Sequence, residues 1–195
     1  MVNELISAHE KRRRAPFHFF AKARNARFAA YALHAIDSTN QCRFADEIGY
    51  GGSPSIALAE SFHREAAIAL ELIVKAVIAQ LIENKTASPH VTKVCPTHNL
   101  KSLWSDADLP PLSKSNEQIL LLARRILFWS GRYAAPRKED KKVKEEELEL
   151  DRVANKQAFG TTYVMSFAPF DWATFDGIYE IAAEKFWTLA NKTLP

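Results

Sequence analysis

Glycine is scarce in this 195-residue chain, six in all, and none falls in a GxGxxG, GxxxxGK[ST] or GxSxG pattern. Dinucleotide-binding, P-loop and hydrolase frameworks need glycine to bring backbone against phosphate or to turn a nucleophile outward, so none of them has support. Cysteine is scarcer still. Cys42 and Cys95 are the two, without CxxC spacing, and read as reduced thiols rather than a disulfide framework. The six histidines, His9, His18, His34, His63, His90 and His98, show no zinc-helix spacing such as HExxH, so no metal and no other cofactor is expected. Nor does one sign of charge dominate: 26 basic and 23 acidic residues leave a net +3, too even to argue for nucleic acid by itself. The opening MVNELISAHEKRRR is charged where a secretory signal needs its apolar run, and the most apolar segment carries Glu71 and Lys75 near its middle, against a membrane span. These absences predict a soluble, cytoplasmic chain.

What the chain does have is apolar helical periodicity. Residues 66–82, AAIALELIVKAVIAQLI, are broken only by Glu71, Lys75 and Gln80. Ala59, Phe62, Ala66, Ala69, Ile73, Val77 and Leu81 recur at three- and four-residue steps, and Leu70, Val74 and Ile78 widen the stripe. A helix over 54–84, opened by Ser53 and Pro54, is therefore the expected centre of the core. A first helix over 16–37 would turn Phe17, Phe20, Phe28, Tyr31, Ala32 and Ile36 inward, followed by a loop over the stretch STNQCRFADEIGYGGSPS. Thr97 reads as the cap of a short helix HNLKSLW. Ser113 or Ser115 opens a third long helix with Ile119, Leu122, Ala123, Ile126 and Trp129 inside and Gly131 as its stop.

Residues 137–156 carry seven basic and seven acidic groups, which fits either an exposed helix laced with i, i+4 pairs or a mobile stretch. A final helix over 171–191 aligns Trp172, Phe175, Ile178, Tyr179, Ala182, Phe186 and Leu189, and FGTTYVMSF before it predicts a short extended piece near 159–167. The whole reads as one domain over 1–195, all-α, an antiparallel bundle of four to five main helices.

Two polar residues on the central helix bear on function. Glu71 and Lys75 either pair at i, i+4 on an exposed strip, worth about 0.3–0.5 kcal/mol, or belong to an interior polar site that Glu71 shares with other parts of the chain. A second signal is basic: residues 1–27 hold seven cations against Glu4 and Glu10, which suits phosphate, an acidic partner or a solvated helix face. A third is the block Trp129-Ser130-Gly131-Arg132-Tyr133, with Pro136 and Arg137 beyond it.

In three segments, ALELIVKA at 69–76, THNLKSLW at 97–104 and WSGRYAAP at 129–136, the chain resembles the HEPN superfamily of small helical nucleotide-binding-like domains. The best-matching core is 54–136, flanked by an N-terminal helix and loop over 1–53 and a charged segment and C-terminal helix over 137–195. The resemblance implies a compact bundle, often a homodimer, that works with RNA or a nucleotide, or with a protein partner such as an antitoxin. Catalytic members cleave RNA without metal, using an arginine followed after four to six residues by a histidine on a late helix, the imidazole moving protons and the guanidinium neutralising developing charge.

This chain departs from that pattern, because no histidine follows His98. Suitable spacings, Arg13 to His18 and Arg27 to His34, occur only in the first helical region. The expectation is thus a catalytically degenerate protein acting by binding, with a metal-independent endoribonuclease of a defence or toxin–antitoxin system as the alternative and a structural or oligomerisation module as the third. The candidate polar pocket comprises Glu71, Lys75, His98, Arg132, Tyr133 and Arg137, with Glu71 expected to accept from Arg132 or Tyr133.

Overall fold

A computed structural model describes residues 14–130, 141–159 and 162–192 of the chain. The described helices are α1 (Pro16–His34), α2 (Ser38–Glu47), α3 (Pro54–Glu83), α4 (Leu100–Asp106), α5 (Lys114–Arg125), α6 (Lys141–Val153) and α7 (Trp172–Ala190). A π-helical turn, Ile126–Ser130, prolongs α5, and strands β1 (Asn155–Phe159) and β2 (Thr162–Ser166) separate α6 from α7. The architecture is an all-α bundle organised around α3.

Proline at the first turn of α3 costs nothing, because the first amides of a helix have no partner within it. Asn84 closes the far end and donates Nδ2 to the Leu189 carbonyl at 3.0 Å, tying the end of α3 to α7. Between these ends α3 is apolar on nearly every side, and from Ala66 onward most of its side chains are buried. Its neighbours divide the work of covering it: α1 and α7 pack along it most extensively, with α4 and α5 on the remaining surface.

The way α1 meets α3 corrects the expected inner face. Phe17 is 55 %, Phe28 74 % and Tyr31 51 % exposed, and Ala32 is exposed too. Of the expected residues Phe20 is buried, in a line with Pro16, Ala23, Ala26 and Ala30. Steps of three and four residues keep these on one side, and small side chains let two backbones approach closely. On α7 the expected stripe holds: Phe175, Ile178, Tyr179, Ala182, Phe186 and Leu189 are buried, with Trp172 half-buried. Phe20 of α1 stacks on Phe186 at 4.4 Å between centroids.

Three other expectations are corrected. Residues 38–47 form α2 rather than a loop, because the Asp37 side chain accepts from the Asn40 amide at 3.0 Å and caps a helix whose own residues are too polar to signal one. The short helix starts two residues later than expected: Asn99, not Thr97, accepts from the Ser102 amide, while Thr97 Oγ1 takes the Asn99 amide. The extended piece is half of an antiparallel hairpin in which Asn155 faces Ser166 and Phe159 faces Thr162. With α2 and the short α4 the described α-helices number seven, of which α1, α3, α5, α6 and α7 make up the four to five main helices expected, and the charged segment is helical over Lys141–Val153.

Gln118 joins the hairpin to the bundle. Fully buried on α5, it donates Nε2 to the Val153 carbonyl at 2.5 Å and accepts the Ala168 amide on Oε1 at 2.7 Å, so both entry to and exit from the hairpin are fixed by one side chain.

Candidate functional site

Glu71 sits in the middle of α3, where a carboxylate left alone would cost several kcal/mol, roughly, to desolvate. Both its oxygens are engaged. Lys75, one turn on, donates Nζ to Oε1 at 2.5 Å, and His98 Nδ1 stands 2.7 Å from Oε2. The Glu71 and Lys75 side chains are only 11 % and 9 % exposed, whereas His98 is 32 % exposed. The i, i+4 pair therefore exists but is interior, and the polar site that Glu71 shares with another part of the chain also exists.

The loop before α4 delivers His98. Asn99 caps that helix, so the residue before it is held at a fixed angle to α3, and the Phe128 ring stands edge-on to the imidazole at 5.3 Å. Phe128 belongs to the π-helical turn, whose wider winding displaces side chains from regular α-helical positions. A carboxylate oxygen can only accept, so Nδ1 carries the proton; in the neutral ring Nε2 then offers a lone pair. No other hydrogen bond to His98 is present among the described residues.

Two cavities meet this triad from different sides. One, of about 210 Å³, has Glu71 and His98 in its wall together with Arg64, Leu72, Ile126 and Leu127. The other, of about 770 Å³, has Lys75 in its wall. It adds Arg14 from before α1 and Lys93 from the loop between α3 and α4, over an apolar floor that includes Phe19, Ile82 and Val94. No carboxylate is among the described residues lining it.

Of the expected pocket, Glu71, Lys75 and His98 come together; Arg132, Tyr133 and Arg137 lie outside the described residues. At Glu71 Oε2 the described partner is His98, and the bond expected from Arg132 or Tyr133 falls on residues outside the described ones. The Arg27 to His34 spacing is not a phosphate site, because the Arg27 guanidinium is committed to Asp176 at 2.6 Å and to Glu180 at 2.6 Å. Arg13 lies outside the described residues, and His18 is exposed on α1. Lys93 escaped sequence reasoning because it is one cation in an irregular loop, and only the closing of that loop over α3 brings it near Lys75. Among the described residues no three histidine, cysteine or acidic side chains gather as metal ligands, and no helix is long and apolar enough to cross a membrane. Comparison with protein-family models, curated proteins and solved structures finds no match to this chain.

Proposed function

We propose that the chain is a HEPN-like helical protein that acts by binding, and that its ligand is the phosphate of a nucleotide or RNA seated in the cleft of about 770 Å³. The observation that carries this reading is Lys75. Its ammonium is nearly buried, is oriented by Glu71 at 2.5 Å, and forms the wall of a cleft that also holds Arg14 and Lys93. A fixed cation beside two others, over an apolar floor, suits a group carrying negative charge at one end and a flat apolar body at the other. The exposed aromatic rings of Phe17, Phe28 and Tyr31 support a protein partner as well, whether an antitoxin or a second copy. The cytoplasm is the compartment proposed for it.

Titrating the protein with a nucleoside triphosphate and with short single-stranded RNA at several salt concentrations tests the reading. Lys93→Glu, an exposed loop change that leaves the core alone, should weaken binding about tenfold and reduce the salt dependence. Absence of binding by the wild-type chain, or an unaltered Lys93→Glu variant, removes the proposal.

One observation favours a second reading, the metal-independent endoribonuclease. His98 is held by a carboxylate at 2.7 Å with its other nitrogen uncommitted, and Arg64 lies in the same cavity wall. Such an imidazole can take a proton from a 2′-hydroxyl and return one to the leaving oxygen. Labelled single-stranded RNA incubated with the protein and EDTA decides: binding alone predicts intact RNA, whereas cleavage lost in His98→Ala installs the enzyme.

A further inference from the structure

About 20 Å along α3 from Lys75, by the rise of a helix, lies a separate cavity of about 260 Å³. Its walls are rings: Phe62 and His63 from α3, His34 from the end of α1, and Phe170 from the segment before α7. The Phe62 centroid is 5.2 Å from His63, 5.8 Å from His34 and 6.3 Å from Phe170, and His63 is 5.1 Å from Phe170.

The polar groups beside these rings are rich in acceptors. Gln41 donates Nε2 to the Ile36 carbonyl at 2.9 Å, which leaves Oε1 open. Asp171 accepts the Thr174 amide on Oδ1 at 2.9 Å, and hydrogen bonds from the Thr174 backbone and side chain hold its carboxyl below the usual range, so it is ionised at neutral pH and brings a full negative charge to the cavity. His63 Nε2 stands 2.9 Å from the Phe170 carbonyl, which has no proton to give. Nε2 is therefore the protonated nitrogen, and Nδ1 of the neutral ring is a further acceptor. Ser55, whose Oγ lies 3.1 Å from that of Ser53, can serve in either sense.

We propose that this cavity receives a guanidinium group, the arginine side chain of a protein partner. Aromatic faces attract a cation, and guanidinium adds flatness and a rigid fork of donors that a compact ammonium lacks. The Asp171 carboxylate completes the charge match and disfavours anything that brings a phosphate. The occupant is thus opposite in sign to that of the cleft at Lys75, and the inference stands whether or not that cleft binds nucleotides.

The test is a titration of the full chain with N-acetyl-arginine amide at pH 8, where an ordinary imidazole is neutral, followed by NMR at the Gln41 side-chain amide and the His63 ring. Saturating shifts with a dissociation constant of about 10 mM or tighter are expected for a single side chain without its flanking contacts. The isosteric but neutral N-acetyl-citrulline amide should bind at least about tenfold more weakly, and so should the Asp171→Asn variant to arginine, since Asn retains the helix cap and loses the charge. Gln41→Leu gives a second, independent loss. No saturation with arginine, equal binding of citrulline, or unchanged affinity in both variants overturns the proposal, as does stronger binding of cytidine or adenosine than of arginine.

Discussion

Two of the polar groups buried in this bundle are treated differently. Glu71 has a partner on each oxygen, whereas the hydroxyl of Tyr179, equally deep, has no hydrogen-bond partner among the described residues. The difference is one of charge. Desolvating a carboxylate costs far more than desolvating a phenol, so the first must be neutralised in place while the second is tolerated. Tyr179 recovers part of that through its ring, which packs near Phe175 and carries the Arg27 guanidinium 4.7 Å from its centroid.

The largest expected effect tests the Glu71 side of that contrast. Glu71→Ala strands the Lys75 ammonium in the interior and should cost about 3–5 kcal/mol in a denaturant titration. A cycle with His98→Ala should show strong coupling; additive losses would mean the two groups meet without mutual dependence. Ile73→Ala, at a fully buried apolar position midway between Glu71 and Lys75 in the chain, is expected to lose about 2–5 kcal/mol. A loss below about half a kcal/mol there would deny α3 its central place.

Asp171→Ala should cost about 1 kcal/mol by removing the α7 cap, with Asp171→Asn closer to wild type. Tyr179→Phe is the smallest, within about 0.5 kcal/mol at neutral pH and in the stabilising direction if anything, since no protein hydrogen bond is lost. Its signature is alkaline. Burial pushes the Tyr179 hydroxyl up from 10.0 to about 12, with Arg27 opposing. The unfolded chain therefore releases this proton first: the stabilisation is complete below pH 10 and is lost as pH rises toward 12. The Phe variant should lack that part of the decline, and an identical alkaline profile in both proteins would break the contrast.

How much of this was legible beforehand follows from the same physics. The α3 and α7 stripes were readable because large apolar residues at helical spacing have only one satisfactory place. The α1 face was misread because its aromatic residues outweighed its alanines in hydrophobicity, although it is the alanines that fit against α3. Local polar capping, not apolar content, makes α2, and a capping Asp37 with nothing apolar behind it gives a weak signal. At the site, the need of Glu71 for partners could be inferred from its position alone. That His98 would supply one could not, because that choice is made by the loop leading into α4, where no periodicity operates.

The alanines of α1 make its mutational tolerance one-sided. Ala23 and Ala30 are completely enclosed, and Ala26 nearly so. Little volume remains to be removed at these positions, but any added methylene has to be accommodated by moving a whole helix. Substitutions that enlarge them would act as wedges between α1 and α3. Drift along this helix is therefore confined to its outer face, where Phe28 already stands in solvent.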